Sequence, residues 1–435
     1  MSREVIGLIG LLAVLVMMGL RVPLALGFAL VGGIGVIVLK GLQPGIGMFG
    51  STPFGWMSTY SLSVLPMFVL MGLLVSQTGL AERLYDAAQK WFGRLPGGLA
   101  IATLIVTAFF SAISGSSVAA AATMTAVCYP PMKKHKYDSA LSAGVIAAGS
   151  TMDIMIPPSI PMVIYAMVAD QSVGKLFLAG FGPGLLEVLI FSLFVFAMVW
   201  RKPALAPMPV RERTSLSEKI RASKSVIPVV VIFLLVFGGM YRGIFTPTEA
   251  GAAGVIATFV VCLAARTISW QSVRGALFGT LRVTGTIFFV LVGVMLFNAF
   301  IGLSGLAQEL GRFVISVGVS PVIFMGIVLL LYLPLGALME EVSMMLLTLP
   351  LYLPVARTLG IDTVYFGVLI ILAWQIGQIA PPVGLIAFVT KAQLEDVSIQ
   401  TVYRGCFPFL IALIIVEVIV ILVPDIAMFL VRTMK

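Results

Sequence analysis

The chemistry-bearing residues of this chain sit inside apolar sequence. Ser114-Gly115-Ser116-Ser117 lies in the middle of a stretch, Arg94 to Lys133, that carries no charge between its ends. Hydroxyls and exposed carbonyls on small residues suit a hard, partly dehydrated cation, as unwound backbone and half-helix ends do in carriers. The alternative is close helix packing, for which Ser and Gly are the usual material. A second group, Gly149-Ser150-Thr151-Met152-Asp153, runs into Pro157-Pro158. Paired prolines remove two backbone donors and break a helix. Non-helical backbone at membrane depth is tolerated only inside protein or beside a water-filled cavity. The segment is therefore expected to line a site, with Gly149, Ser150 and Thr151 as the wall opposite the first patch. Asp153 could join a cation site, pair with a base or carry a proton.

A matching set occurs in the second half of the chain. Leu335-Gly336-Ala337-Leu338-Met339 leads into Glu340-Glu341, and Gln375, Gly377, Gln378 and Ala380 precede Pro381-Pro382. Two adjacent carboxylates in an apolar stretch cost about 2.5–3.5 kcal/mol each near the bilayer centre, so they are functional or lie at an interface. Neighbouring residues on a helix point about 100° apart. One acid therefore shapes a site while the other can face water, and Glu340 is the preferred site residue.

Composition says what must position these groups. The 435 residues are 60% hydrophobic and 10% charged, with mean hydropathy +1.13, against about 25% charged residues in soluble domains. That excludes soluble enzymes, nucleic-acid binders and disordered proteins and leaves an all-α polytopic membrane protein in a lipid bilayer. The net charge of +9 is scattered between apolar runs rather than gathered into a nucleic-acid patch. Its one dense group, from Arg201-Lys202 to Lys224, reads as a cytoplasmic loop. Cys128, Cys262 and Cys406 are far apart in apolar sequence and read as core residues. His135 sits in a basic loop, and no metal-ligand spacing is present. The apolar N-terminal run, Val5–Leu20, is expected to be a retained span rather than a cleaved signal.

Further candidate segments are Leu24–Leu39, Tyr60–Gln77, Leu95–Met132, Ala140–Ala169, Leu176–Trp200, Val226–Tyr241, Ala250–Ala265, Gly275–Leu303, Phe313–Leu338, Val342–Pro354, Val364–Thr390 and Cys406–Leu430. Leu95–Met132 is too long for one span and reads as a span entering a re-entrant hairpin with its tip at Ser114–Ser117. The pattern then recurs. A shift of 224 carries Gly19, Pro23 and Gly27 onto Gly243, Pro247 and Gly251, Asp138 onto Asp362, and Pro157-Pro158 onto Pro381-Pro382. The expected organisation is a first repeat over 1–200, with a hairpin tip near 114–117 and a broken helix near 149–159. A polar linker over 201–225 follows. The second repeat covers 226–435, with a tip near 335–341 and a broken helix near 375–384. Duplicated halves with matched helix breaks point to a secondary transporter, with inverted repeats preferred.

Ser114-Gly-Ser-Ser117, Ile156-Pro-Pro-Ser-Ile-Pro161, Gly243-Ile-Phe-Thr-Pro-Thr-Glu-Ala250, Leu359-Gly-Ile-Asp362 and Pro381-Pro-Val-Gly384 together carry a resemblance. The chain resembles the large membrane subunit of tripartite ATP-independent periplasmic (TRAP) transporters. The resemblance implies an elevator-type carrier with scaffold and transport domains in a bacterial or archaeal inner membrane. It implies coupling to sodium, two or more ions, and a small organic acid as cargo. The implied partners are a periplasmic binding protein and a small four-span membrane subunit. Two departures stand out: Ala380 replaces a usual Thr before Pro-Pro, and Asp153 stands where the family has a small or apolar residue. No Lys or Arg lies in either tip or Pro-Pro segment. An anion would have to be held by hydroxyls, amides, half-helix N-termini and bound cations. Glu249 is expected to cap a helix, and Glu187 and Glu417 to lie at loop ends or interfaces. The alternative function is a stand-alone cation- or proton-coupled organic-anion symporter. A channel lacks a repeated filter loop, and an intramembrane enzyme lacks a nucleophile–base pair or metal cluster.

Overall fold

A computed structural model describes residues 1–20, 22–76, 80–207, 215–224, 226–339 and 341–434, and leaves out the side chains at 56, 80, 111–114, 338 and 341. Glu340, and the side chains of Ser114 and Glu341, thus lie outside the described residues. The described chain is helical, without strands. Before the linker run α1 (Arg3–Gly19), α2 (Leu24–Lys40), α3 (Leu42–Met57), α4 (Val64–Ser76), α5 (Leu80–Phe92), α6 (Gly98–Ser114), α7 (Ser117–Lys134), α8 (Ser139–Ser150), α9 (Ile160–Ala169) and α10 (Val173–Arg201). Then come α11 (Leu216–Ser223), α12 (Ile227–Tyr241), α13 (Pro247–Ala264), α14 (Trp270–Ser304), α15 (Leu306–Ser316), α16 (Pro321–Leu338), α17 (Glu341–Thr358), α18 (Thr363–Ile379), α19 (Leu385–Ala392), α20 (Ile399–Leu422) and α21 (Asp425–Thr433).

Local chemistry sets the boundaries that position the site. Asp138 accepts a hydrogen bond from the Leu141 amide at 3.0 Å, and Asp362 accepts from the Val364 and Tyr365 amides at 2.9 Å each. The two aspartates matched by the shift thus cap α8 and α18, the helices that break. Glu249 forms the expected cap, a reciprocal pair with Thr246 at the start of α13. α14 runs unbroken for 35 residues, whereas the corresponding stretch of the first half is divided into α3 and α4.

Packing exchanges between the halves. α2 lies against α14 and α13 against α4; α9 lies against α17 and α19 against α7; α8 lies against α20 and α18 against α10. Lys133 at the end of α7 pairs with Asp396 between α19 and α20 at 2.6 Å. The three cysteines are buried.

Four described helices, α10, α13, α14 and α20, are long and apolar enough to cross a membrane. Others expected as spans are shorter or divided. Leu95–Met132 becomes the hairpin α6–α7, and Val364–Thr390 is α18, the break and α19. Phe313–Leu338 is parted at Gly318, which has φ +72°, so α15 and α16 are separate. α17 runs to Thr358 with Pro350 and Pro354 inside it. Helices α3 and α5 are absent from the expected spans. α5 is missed because Glu82, Arg83, Asp86 and Lys90 interrupt its apolar run in sequence, although its buried face, with Ala81, Leu84, Tyr85 and Ala88, is continuous. The 201–225 linker is not all loop. Ser215 and Glu218 cap each other to start α11, which rests on α5 through a hydrogen bond from the Trp91 indole to Ser223 at 2.8 Å.

Candidate functional site

The first hairpin turns at Gly115, whose φ of +59° is the left-handed region that glycine enters without strain. A Cβ there would stand 3.2 Å from the Pro158 carbonyl oxygen, so the tip presses on the Pro157-Pro158 turn. Ser116 caps α7, accepting from the Ala119 amide at 3.4 Å. Ser117 donates its hydroxyl to Asp153 Oδ1 at 2.7 Å, and both are buried. α8 ends at Ser150, tightens into a turn over Thr151–Ile154 and resumes as α9 at Ile160. Pro157 and Pro158 are buried within that break.

The expected opposing wall is only partly a wall. Gly149 packs on Leu104 and Thr107 of α6, and Ser150 donates to Ile146 O at 2.7 Å. A helical serine returns its hydroxyl to the carbonyl four residues back when nothing better faces it. Thr151 does reach across, and accepts from Gln375 Nε2 at 3.1 Å. Asp153 joins the first tip rather than pairing with a base.

In the second half Gly336 and Gly377 bring α16 and α18 together. A Cβ on Gly377 would lie 2.5 Å from the Gly336 carbonyl carbon, so both glycines serve the close approach of the two helices. The Gly384 amide donates to Ala337 O at 3.3 Å, joining the second tip to the second Pro-Pro turn. Ala380 ends α18 in extended backbone and donates its amide to Gly377 O at 3.2 Å. Pro381 and Pro382 are exposed. Gln375 was expected opposite the second tip. It turns instead into the first half, bonding Thr151 and, at 2.9 Å, Glu187 Oε2.

Parts of both halves meet around a cavity of about 350 Å³. Gly115, Ser116 and Ser117 line it from the first tip, Gln378 from the second broken helix, and Arg282 and Thr286 from α14. Gln378 is buried, and its carbonyl oxygen has no protein partner. Thr286 donates its hydroxyl to Arg282 O at 2.9 Å. Among the described residues no carboxylate pairs with Arg282. The cavity therefore offers a guanidinium, hydroxyls and amide groups in apolar surroundings, a set suited to a small carboxylate.

Sequence reasoning missed Arg282 because it belongs to neither tip. The signal was available: Arg282 is a base well inside an apolar helix, eight residues beyond Arg274, and such a residue marks a site or an interface. Glu187 and Glu417 are not at loop ends, since both are buried inside α10 and α20. Outside the apolar helices, the Asp396 carboxyl is held below the usual carboxylate range by its hydrogen bond from Lys133. Among the described residues no cluster of metal-ligating side chains appears.

Comparison with known proteins gives a consistent family. Residues 9–426 match the tripartite ATP-independent periplasmic transporter DctM component. A C4-dicarboxylate TRAP transporter large permease of Pseudomonas aeruginosa is 34% identical, over 85% of this chain and 86% of its own. A sialic acid TRAP transporter large permease of Vibrio cholerae is 31% identical, over 88% of each chain. A solved Alcanivorax borkumensis transporter, YdaH, superposes with TM-score 0.62 at 14% identity over 88% of each chain, which speaks to the fold alone. The chain is thus a multi-pass membrane protein and not an enzyme, and it belongs to the DctM family of TRAP transporter large permease subunits.

Proposed function

We propose that the chain imports a small organic carboxylate, delivered by a periplasmic binding protein, in a complex with a small four-span membrane subunit in the cell inner membrane. Transport is driven by sodium through elevator-type alternating access, with two inverted repeats forming scaffold and transport domains. The observation that carries this reading is the cavity in which the first tip, Gln378 and Arg282 converge. A guanidinium facing hydroxyls holds a carboxylate by charge-assisted hydrogen bonds. The relatives named for C4-dicarboxylate and sialic acid both handle carboxylates. The exchange of helices between halves supports a two-fold relation between the repeats. So does the bond between Thr151 and Gln375, positions 224 residues apart. Ser117, Asp153 and the Gly115 turn supply oxygen ligands at the first tip, as a hard cation requires. Glu340 and Glu341 remain the proposed acids of the second site.

The test is uptake into proteoliposomes across a panel of organic acids, with the small subunit and binding protein each added or omitted. A sodium gradient is compared with a proton gradient. Uptake needing sodium and both partners is expected. Full uptake by this chain alone, or by protons alone, overturns the tripartite sodium reading in favour of a stand-alone symporter.

A further inference from the structure

Two buried carboxyl groups, Glu187 and Glu417, are used by neither hairpin, and Glu187 is the one that meets a broken helix. Glu187 on α10 and Gln375 on α18 are both 0% exposed. Gln375 Nε2 donates to Glu187 Oε2 at 2.9 Å and to Thr151 Oγ1 at 3.1 Å. Three elements therefore converge: α10, α18 and the turn at which α8 breaks. Glu187 Oε1 and Gln375 Oε1 have no hydrogen-bond partner in the protein. An unsatisfied buried polar atom is costly, and more so when it is charged. Among the described residues no base pairs with Glu187.

We propose that Glu187 Oε1 and Gln375 Oε1 bind a monovalent, sodium-sized cation at the seam between the two halves, apart from the hairpin tips. An ion satisfies both oxygens together and balances the charge of Glu187. A monovalent ion fits because Asp153 is engaged by Ser117 at 2.7 Å. That leaves one free carboxylate, where calcium takes six to eight oxygens, often from several carboxylates. Thr151 and Gln375 hold matched places in the two halves, 224 residues apart. An ion at Glu187 therefore touches the side chain that ties one broken helix to the other. The proposal goes beyond the transport reading, since ion binding here is measurable without uptake.

The test is equilibrium binding of radioactive sodium to the purified full-length chain, in choline buffer at fixed pH. Glu187→Gln keeps the shape and an acceptor for Gln375 while removing the charge. The expected result is one sodium ion fewer per chain and a smaller sodium-induced rise in Tm. Unchanged ion number and affinity in Glu187→Gln overturn the proposal. If that variant does not fold, difference infrared spectra of the native chain decide, with Glx side chains isotope-labelled. A carboxylate band that shifts when sodium replaces choline, and still shifts when Glu340 and Glu341 are both changed to Gln, supports the site. A labelled carboxyl spectrum that ignores sodium, as a bound proton would give, overturns it.

Discussion

The two broken helices share their punctuation and differ in their cover. Every residue from Thr151 to Ser159 is buried, whereas Pro381, Pro382 and Val383 are exposed. Their neighbours explain the difference. Gly180 and Gly184 of α10 let that helix close over the first break; a Cβ on Gly180 would lie 2.6 Å from the Met155 carbonyl oxygen. α10 and α20 both start after a capping serine, Ser172 and Ser398. Aligned on those caps, Cys406 and Leu410 of α20 fall at the two glycines. α20 therefore cannot settle as closely. It touches the second turn through Tyr403, whose hydroxyl bonds Pro382 O and Val383 O at 2.8 Å each. One backbone device thus gives a covered break in the first half and an exposed one in the second.

Removing the seal should have the largest effect. Gly180→Val places side-chain atoms against the Met155 carbonyl, and overpacking of this kind costs about 1–3 kcal/mol. Uptake should fall to background, and a cysteine placed at Ile156 should become reactive to maleimide. Normal uptake with Ile156→Cys still protected would remove Gly180 from the explanation.

Next in size is Arg282→Ala. A hydrogen bond to a charged group contributes about 1.5–3 kcal/mol, so apparent affinity for the carboxylate should fall by about 10- to 150-fold. Arg282→Lys should restore only part, since an ammonium lacks the planar fork. Equal uptake by all three would detach α14 from the cargo.

Ala380→Thr brings the second break nearer to the family pattern. One added hydroxyl ligand contributes about 0.5–1.5 kcal/mol, so half-saturation by sodium should fall by about two- to tenfold. An unchanged sodium curve would show that this site does not use the position.

The smallest effect belongs to the link between α7 and the α19–α20 loop. Lys133 holds the folded-state value of Asp396 below the ordinary carboxylate range. Its contribution is therefore present above the ordinary value and is lost as pH falls through the lowered one. Both side chains are exposed, and such pairs contribute little. Asp396→Asn should barely change Tm at neutral pH, and the difference from the native chain should vanish in acid.

Much of this was legible because it is local. The Gly115 tip, both Pro-Pro breaks and the Thr246–Glu249 box are all written within a few residues of chain. The direction of Gln375 was not legible, because its partner Glu187 is 188 residues away and only packing of α10 on α18 brings them together. Arg282 was overlooked for the same reason, since α14 reaches the first tip across the fold. Ser150 misled because a hydroxyl beside a break looks like a ligand until its own helix is seen to claim it. α11 was read as loop because its polar sequence lacks a core-facing stripe, although Ser215 and Glu218 announce its start.

The central claim is that cargo lies in the cavity bounded by the first tip, Gln378 and Arg282. Val118 lines that cavity and is 44% exposed, and the native cysteines are buried. Val118→Cys should therefore react with maleimide against a low background. A transported carboxylate plus sodium should slow that reaction, while carboxylate with choline should not. Labelling at the same rate under all conditions, in a variant that still takes up cargo, would contradict the account.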